Sequence, residues 1–373
     1  MTQQRSLPRR DWIVLPLIAA VTALFVLFSA EAASRVGWPE DKFDRCITGA
    51  EADRPKPNCS GRSKAAEGPW VEDHYNECGN RATGSCLAAP AGGAARIAVL
   101  GSSTSWGYLV PFDRVWSVQA ARAITAACGR PIDVQGLVDL PSVGSFGDLN
   151  DHALRLPEAM ALHPQLVALV IAPLDLLDMP EGGFNPMRAR PSSEPAPKVD
   201  LIEYSKSLMS GSRAVTVAQH YVYRNPQTYV STYLRYGDRA GFMRPPLSQQ
   251  WQERLAYLDA AIGYMAARLM PTGTRLLLVF APQQAQAIII ADGMKIPGVD
   301  AETLNRAIAV IAARHGAIFA DGALAFRGVK DATSYFYPAD GHLNAAGHAL
   351  LGRVAADAVL AARPAGLCQL QAR

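Results

Sequence analysis

The chain has little of what several protein classes require. Its net charge is only +3 over 373 residues; Arg5, Arg9 and Arg10 against Asp11 account for +2 of that, leaving 33 basic and 32 acidic residues elsewhere. No basic stripe remains to hold phosphates, which argues against a nucleic-acid binder. No segment repeats at a period of about 20 to 50 residues, which excludes solenoids and propellers. Charged residues, at 18%, are too many for a polytopic membrane protein, and hydrophobic residues, at 49%, are too many for disorder. What remains is one large core, or a core with a satellite, since single cores stop growing at roughly 250 to 300 residues.

Trp12 to Ala30 is a 19-residue run without a charge, preceded by Arg5, Arg9 and Arg10. That matches the roughly 20 residues needed to cross a hydrocarbon core. The basic flank keeps residues 1–11 in the cytoplasm, so the chain after Glu31 is exported. Ala30-Glu31-Ala32 also fits a small-x-small cleavage site, but the run exceeds the roughly 7 to 15 apolar residues of a signal peptide. We therefore read 12–30 as a membrane anchor, with a signal sequence as the alternative; both export the rest.

Cysteines are few, six in all. Cys46, Cys59, Cys78 and Cys86 crowd into residues 31–95, a Pro-, Gly- and Asn-rich entry segment with no sustained period of 2 or 3.6. Cys46 with Cys59 and Cys78 with Cys86 would each close a short loop in an oxidising compartment. A four-cysteine zinc site is the rival, but spacings of 12, 18 and 7 intervening residues lack the close Cys-x-x-Cys pairs that zinc prefers. No metal and no cofactor is expected.

The main domain is expected over 96–373. Short apolar runs at Arg96–Leu100, Ile132–Val138, Leu166–Ala172, Arg275–Ala281 and Ala317–Ala320 alternate with helical stretches, the first of these at about Asp113–Ala127. Such alternation argues for a parallel sheet covered on both faces, with ligands at the carboxyl ends of its strands. An insertion at about 180–250 begins with an extended part holding Pro180, Pro186, Pro191, Pro195 and Pro197, then shows helical patterns at Leu201–Tyr221 and Leu247–Met270, with Tyr221, Tyr223, Tyr229, Tyr233, Tyr236 and Phe242 between them. Packing against the sheet domain is the reading we favour for these rings, with a lid or sugar-stacking surface as the alternative.

After the first strand comes Gly101-Ser102-Ser103-Thr104-Ser105-Trp106-Gly107. A serine where a strand hands over to a helix is exposed at the sheet edge, and its backbone amide can stabilise an oxyanion. A phosphate cradle is weaker here: the loop lacks both the P-loop lysine and the glycine spacing of a dinucleotide loop. Near the other end stands Pro338-Ala339-Asp340-Gly341-His342-Leu343-Asn344, followed by His348. A serine hydroxyl needs a histidine to take its proton and a carboxylate to hold that imidazole, which gives Ser103, His342 and Asp340 their roles. Asn344 reads as a helix cap as well, and His348 as a packing or supporting residue one helical turn further on.

On these motifs the sequence resembles the SGNH (GDSL-type) hydrolase superfamily over about Arg96 to Arg363. The family's first block, Gly-Asp-Ser-x-Thr/Ser-x-Gly, is matched by Gly101, Ser103, Ser105 and Gly107, with Ser102 in place of Asp. In the last block the acid and histidine are usually separated by two residues; here one residue separates Asp340 from His342. The resemblance implies an oxyanion hole built from the Ser103 amide and a glycine of the second block, for which Gly144 is the candidate and Gly147 its rival. The third block, Gly-x-Asn-Asp, is Ala172-Pro173-Leu174-Asp175, so the oxyanion Asn is replaced by Leu174. Losing one such donor typically costs about 100- to 1000-fold in turnover, and Gln283 or Gln284 are amides of the right type to substitute.

The resemblance further implies a serine esterase or O-acyltransferase acting on acyl esters, acetyl first among them, of cell-envelope or exported polysaccharide. The catalytic domain would face the periplasm from the bacterial inner membrane. Its partners would be an acylated carbohydrate, the membrane around the amino-terminal helix, and polysaccharide biosynthesis or export proteins. The alternative is a catalytically weakened glycan-binding or assembly subunit of an exopolysaccharide system. The chain order suggests a flavodoxin-like three-layer sandwich whose first and last helices lie side by side. Cys128 and Cys368, at the ends of those helices, are then expected to pair.

Overall fold

The computed structural model describes residues 10–41, 46, 55–137, 149–177, 179, 183–186 and 211–368. At its centre is a six-stranded sheet in the order β3-β5-β4-β6-β7-β8, formed by β3 (Arg81–Ala82), β4 (Ala95–Leu100), β5 (Ile132–Gly136), β6 (Leu166–Ile171), β7 (Arg275–Phe280) and β8 (Ile318–Asp321). β4 to β8 are parallel, in register through pairs such as Val99 with Ala168 and Leu278 with Phe319. Numbered along the chain, the parallel strands run 2-1-3-4-5, the flavodoxin-like winding. Every residue of ARIAVL in β4 and LVALVI in β6 is buried, as continuous apolar strands require when helices cover both faces.

The helices α3 (Trp116–Cys128) and α11 (Ala345–Ala362) group on one face, and α4 (Leu149–Leu154), α8 (Gln249–Leu269) and α10 (Thr303–Arg314) on the other, as right-handed crossovers in this strand order require. The packing agrees: α3 lies against α11, and α8 against both α4 and α10. Gly352 lets α11 approach α3, since a Cβ there would lie 2.7 Å from the Trp116 carbonyl oxygen. The Cys128 and Cys368 Cα atoms stand 4.6 Å apart in a disulfide, as the winding predicts.

The expected sheet was wholly parallel; the structure adds an antiparallel edge. β3 belongs to the entry segment and pairs with β5 through Arg81 with Gly136. Before it, β1 (Ser60–Ser63) and β2 (Val71–His74) form a hairpin. Cys46–Cys59 and Cys78–Cys86 are both bonded, which removes the zinc alternative for these thiols. Arg81 and Asp73, both fully buried, form an ion pair at 2.9 Å.

α1 (Asp11–Gly37) is a single helix, long and apolar enough to cross a membrane, with Trp12 to Phe28 on its exposed surface. Its last turns touch α6 (Arg213–Val222). There the Glu31 carboxylate accepts hydrogen bonds from the Arg213 and Ala214 amides at 3.0 and 2.9 Å and from Ser212 Oγ at 2.8 Å, supplementing the cap of α6. Within the insertion the structure places α6, then α7 (Pro226–Tyr233), then α8. α7 was not expected; Asn225 accepts from the Thr228 amide at 2.9 Å and Pro226 opens the helix, a cap and first position that suit those residue types.

Candidate active site

Ser103 opens α2 (Ser103–Trp106) directly after β4. The approach is tight: Gly101 has φ +133°, and a Cβ there would collide with Ser105 Oγ. Ser103 Oγ lies 2.8 Å from His342 Nε2, and His342 Nδ1 lies 2.5 Å from Asp340 Oδ1. The network assigns the tautomer: Nδ1 carries the proton toward Asp340, leaving Nε2 to accept from the serine. The single residue between acid and histidine suffices because Gly341 takes φ +86°, which turns the loop so that Asp340 Oδ1 also accepts the His342 amide at 3.2 Å. Asn344 caps α11 by accepting from the Ala346 and Gly347 amides at 2.9 and 3.2 Å, as expected of it.

His342 keeps 29% of its side chain exposed. Burial opposes its charged form, but the charge and hydrogen bond of Asp340, with the charge of Asp175, raise the imidazole above its ordinary value. Tyr108 packs edge-on against that ring at 5.0 Å between centroids, and burial followed by the Asp340 charge raises its phenol pKa. His348 has the opposite environment. Burial first, then the charges of His342 and Arg81, push it down to about 3, and its neutral Nδ1 accepts the Trp116 amide at 3.2 Å where α3 meets α11.

Asp175, buried at the end of β6, accepts from Ser102 Oγ and from the Ala172 amide, each at 2.7 Å. Burial raises its pKa against those two hydrogen bonds. Ser102 thus joins the serine loop to the third-block acid.

A cavity of about 240 Å³ opens over Ser103 and His342. Leu174 lines it, so an apolar side chain stands at the third-block position. Gln283 lines it as well. Gln284 does not: it starts α9 (Gln284–Asp292), fully buried, with neither amide atom hydrogen-bonded among the described residues. The helix turn sends consecutive side chains in different directions, which separates the two glutamines and removes Gln284 from the expected role. Gly144 and Gly147 lie outside the described residues.

The aromatic insertion meets the packing expectation in part, since Tyr233 is buried in the core and Tyr229 packs against it, and its rings also reach the cavity. Tyr223, Tyr229, Tyr233 and Tyr236 line the cavity, together with Gln219 and Arg239; Tyr229 and Tyr233 are stacked at 6.3 Å. Phe242 does pack inside, against Trp251, and Tyr221 lies on the exposed side beside Trp38. The Asn225-Pro226 cap was the signal in the sequence that could have placed Tyr229 and Tyr233 on a helix. Among the described residues no group of three or more His, Cys, Asp or Glu side chains is arranged to hold a metal ion.

No family model and no curated protein matches the sequence. Solved structures similar to the chain include a lipase/acylhydrolase from Enterococcus faecalis, at 13% identity and a TM-score of 0.40, covering 72% of this chain and 96% of that one. A protein assigned to the G-D-S-L lipolytic family from Desulfitobacterium hafniense is similar at 11% identity and a TM-score of 0.36, covering 70% and 98%. A mutant acetyl-xylooligosaccharide esterase from Geobacillus Stearmophilus is similar at 15% identity and 0.37, covering 70% and 91%.

Proposed function

We propose that the chain is a serine esterase or O-acyltransferase that works through an acyl-Ser103 intermediate on acyl, foremost acetyl, esters of an envelope or exported polysaccharide. The observation that carries this is the continuous line Ser103 Oγ, His342 Nε2, His342 Nδ1, Asp340 Oδ1, with separations of 2.8 and 2.5 Å. Ser103 Oγ attacks the ester carbonyl as its proton passes to His342 Nε2; the imidazolium is held by Asp340 and then protonates the sugar oxygen as its bond to the acyl carbon breaks, releasing the free hydroxyl. Water or a second hydroxyl attacks the acyl-serine by the same relay run in reverse. The Ser103 amide, with no intrahelical acceptor at the start of α2, is one donor to the oxyanion, and the Gln283 side chain is the amide on the cavity wall available as another.

The tyrosine wall supports a glycan, since flat aromatic faces with polar tips suit a sugar ring and its hydroxyls. The apolar α1 and the three disulfides support an extracytoplasmic domain anchored in the inner membrane. Leu174 on the cavity wall favours a second reading, a glycan-binding subunit of weak turnover. A serine-directed fluorophosphonate and a chromogenic acetyl ester, applied to the full chain in detergent, separate the two. Labelling and turnover that vanish in Ser103→Ala are expected of the esterase; sugar binding with equal labelling of wild type and variant would leave only the second reading.

A further inference from the structure

Glu67 belongs to no catalytic motif, yet its carboxylate lies against one. It sits in the loop between β1 and β2, with 1% of its side chain exposed. Its oxygens accept the Ala339 amide at 3.0 and 2.9 Å and the Asp340 amide at 2.6 Å. His220 Nδ1, from α6, is 2.6 Å from Oε1. Next to it, Lys64 Nζ donates to the Gly68 carbonyl at 2.6 Å and closes the loop.

A carboxylate withdrawn from water is costly unless hydrogen bonds satisfy its oxygens. Here the donors that satisfy it are the backbone amides flanking the acid of the relay. The rest of that loop is held by its own backbone, through the Gly341 amide to Tyr337 O at 2.7 Å and the Tyr337 amide to His342 O at 2.9 Å. The amides of Ala339 and Asp340 turn instead to the entry segment.

We propose that Glu67 is the positioning residue for the acid of the relay: by gripping the Ala339 and Asp340 amides it sets the Asp340 carboxylate against His342 Nδ1, and through His220 it ties that setting to α6. The proposal rests on the reading of Asp340 and His342 as the relay of the preceding subsection. It makes the entry segment part of the working site, although Glu67 touches neither substrate nor the reacting atoms.

The test compares Glu67→Gln, which keeps the length and loses the charge, with Glu67→Asp, which keeps the charge and loses the reach. In the full chain in detergent, both are expected to lower kcat by about 10- to 100-fold, as a displacement near 1 Å would, with KM little changed. His342 ring nitrogens, followed by 15N NMR across pH, are expected to titrate lower in both variants, because a displaced Asp340 no longer supports the imidazolium. The other groups facing that ring, Asp175, Tyr108 and His348, are unaltered. Wild-type kcat and titration in both variants would overturn the proposal. So would wild-type behaviour in Glu67→Asp alone, which would make charge the agent and not position. The titration needs no ester: a wild type without turnover sinks the esterase reading, while the ring nitrogens still decide the part played by Glu67.

Discussion

In the α/β body, order comes from strands such as LVALVI, buried at every position, whereas residues 55–86 are ordered by disulfides and a buried Arg81–Asp73 pair. Each region nonetheless reaches the same site. The body delivers Ser103 and His342 at the carboxyl edge of its sheet. The entry segment holds the loops that carry them: Glu67 takes the Ala339 and Asp340 amides, and Arg81 donates to the carbonyls of Trp106 at 2.6 Å and Val110 at 3.1 Å, just beyond Ser103. Burial of apolar surface is tolerant in detail, while a polar clamp acts only at the atoms it touches. Damage to the two regions should therefore look different.

The largest effect belongs to the body's own chemistry. Ser103→Ala and His342→Ala are each expected to lower ester turnover by about 10³- to 10⁶-fold with the melting transition in place; equal turnover in either variant, measured against wild type, would show that the relay is idle. Next comes a matched pair. Leu278→Ala in β7 should cost about 2–5 kcal/mol of global stability, and Arg81→Met should cost about 3–5 kcal/mol by removing the cation paired with buried Asp73. Denaturant melts with activity measured alongside should show Arg81→Met losing turnover well before its unfolding transition and Leu278→Ala losing it only at the transition. Coincident curves in both would make the two regions one unit.

A smaller effect is expected at the cavity wall. Leu174→Asn should raise turnover by about 10-fold or more if the added amide reaches the oxyanion, and Gln283→Ala should lower it by about 10-fold. Steady-state kinetics unchanged in both variants would place the second donor elsewhere. The smallest effect is a shift in pH. In the proposed mechanism the neutral imidazole is the base, so activity should fall as pH drops through the His342 pKa, and that limb of kcat/KM should lie above the ordinary imidazole value because Asp340 favours the charged form. In Asp340→Asn the limb should move to lower pH as the plateau falls; a limb that stays put would assign it to another group.

The readable parts of the sequence were those with a local signature. Apolar runs such as Leu166–Ala172 revealed the parallel strands, and the order of elements revealed the winding that brings Cys128 to Cys368. Ser103, Asp340 and His342 stood in short blocks whose chemistry is explicit. Glu67 and Arg81 had no such mark. They act from an irregular segment across large separations, 272 positions from Glu67 to Ala339, and nothing in one sequence signals which loop a lone carboxylate will meet. The tyrosines were visible, but that Tyr229 and Tyr233 both pack on the core and reach the cavity depends on the seat of α7, a tertiary matter.

The seam between α1 and α6 has a geometric consequence for search. α1 has 27 residues, which at about 1.5 Å each span ~40 Å, against roughly 30 Å of bilayer hydrocarbon. With α1 in the membrane, about 10 Å of it would stand clear, and that stub is fastened to the domain through Glu31. The cavity would then work at a set altitude over the lipid headgroups. On the proposed polysaccharide substrate, polymer passing through that thin layer would be sampled on each pass and polymer further out ignored, so the length of one rigid stalk would choose which stretch of a growing chain is edited.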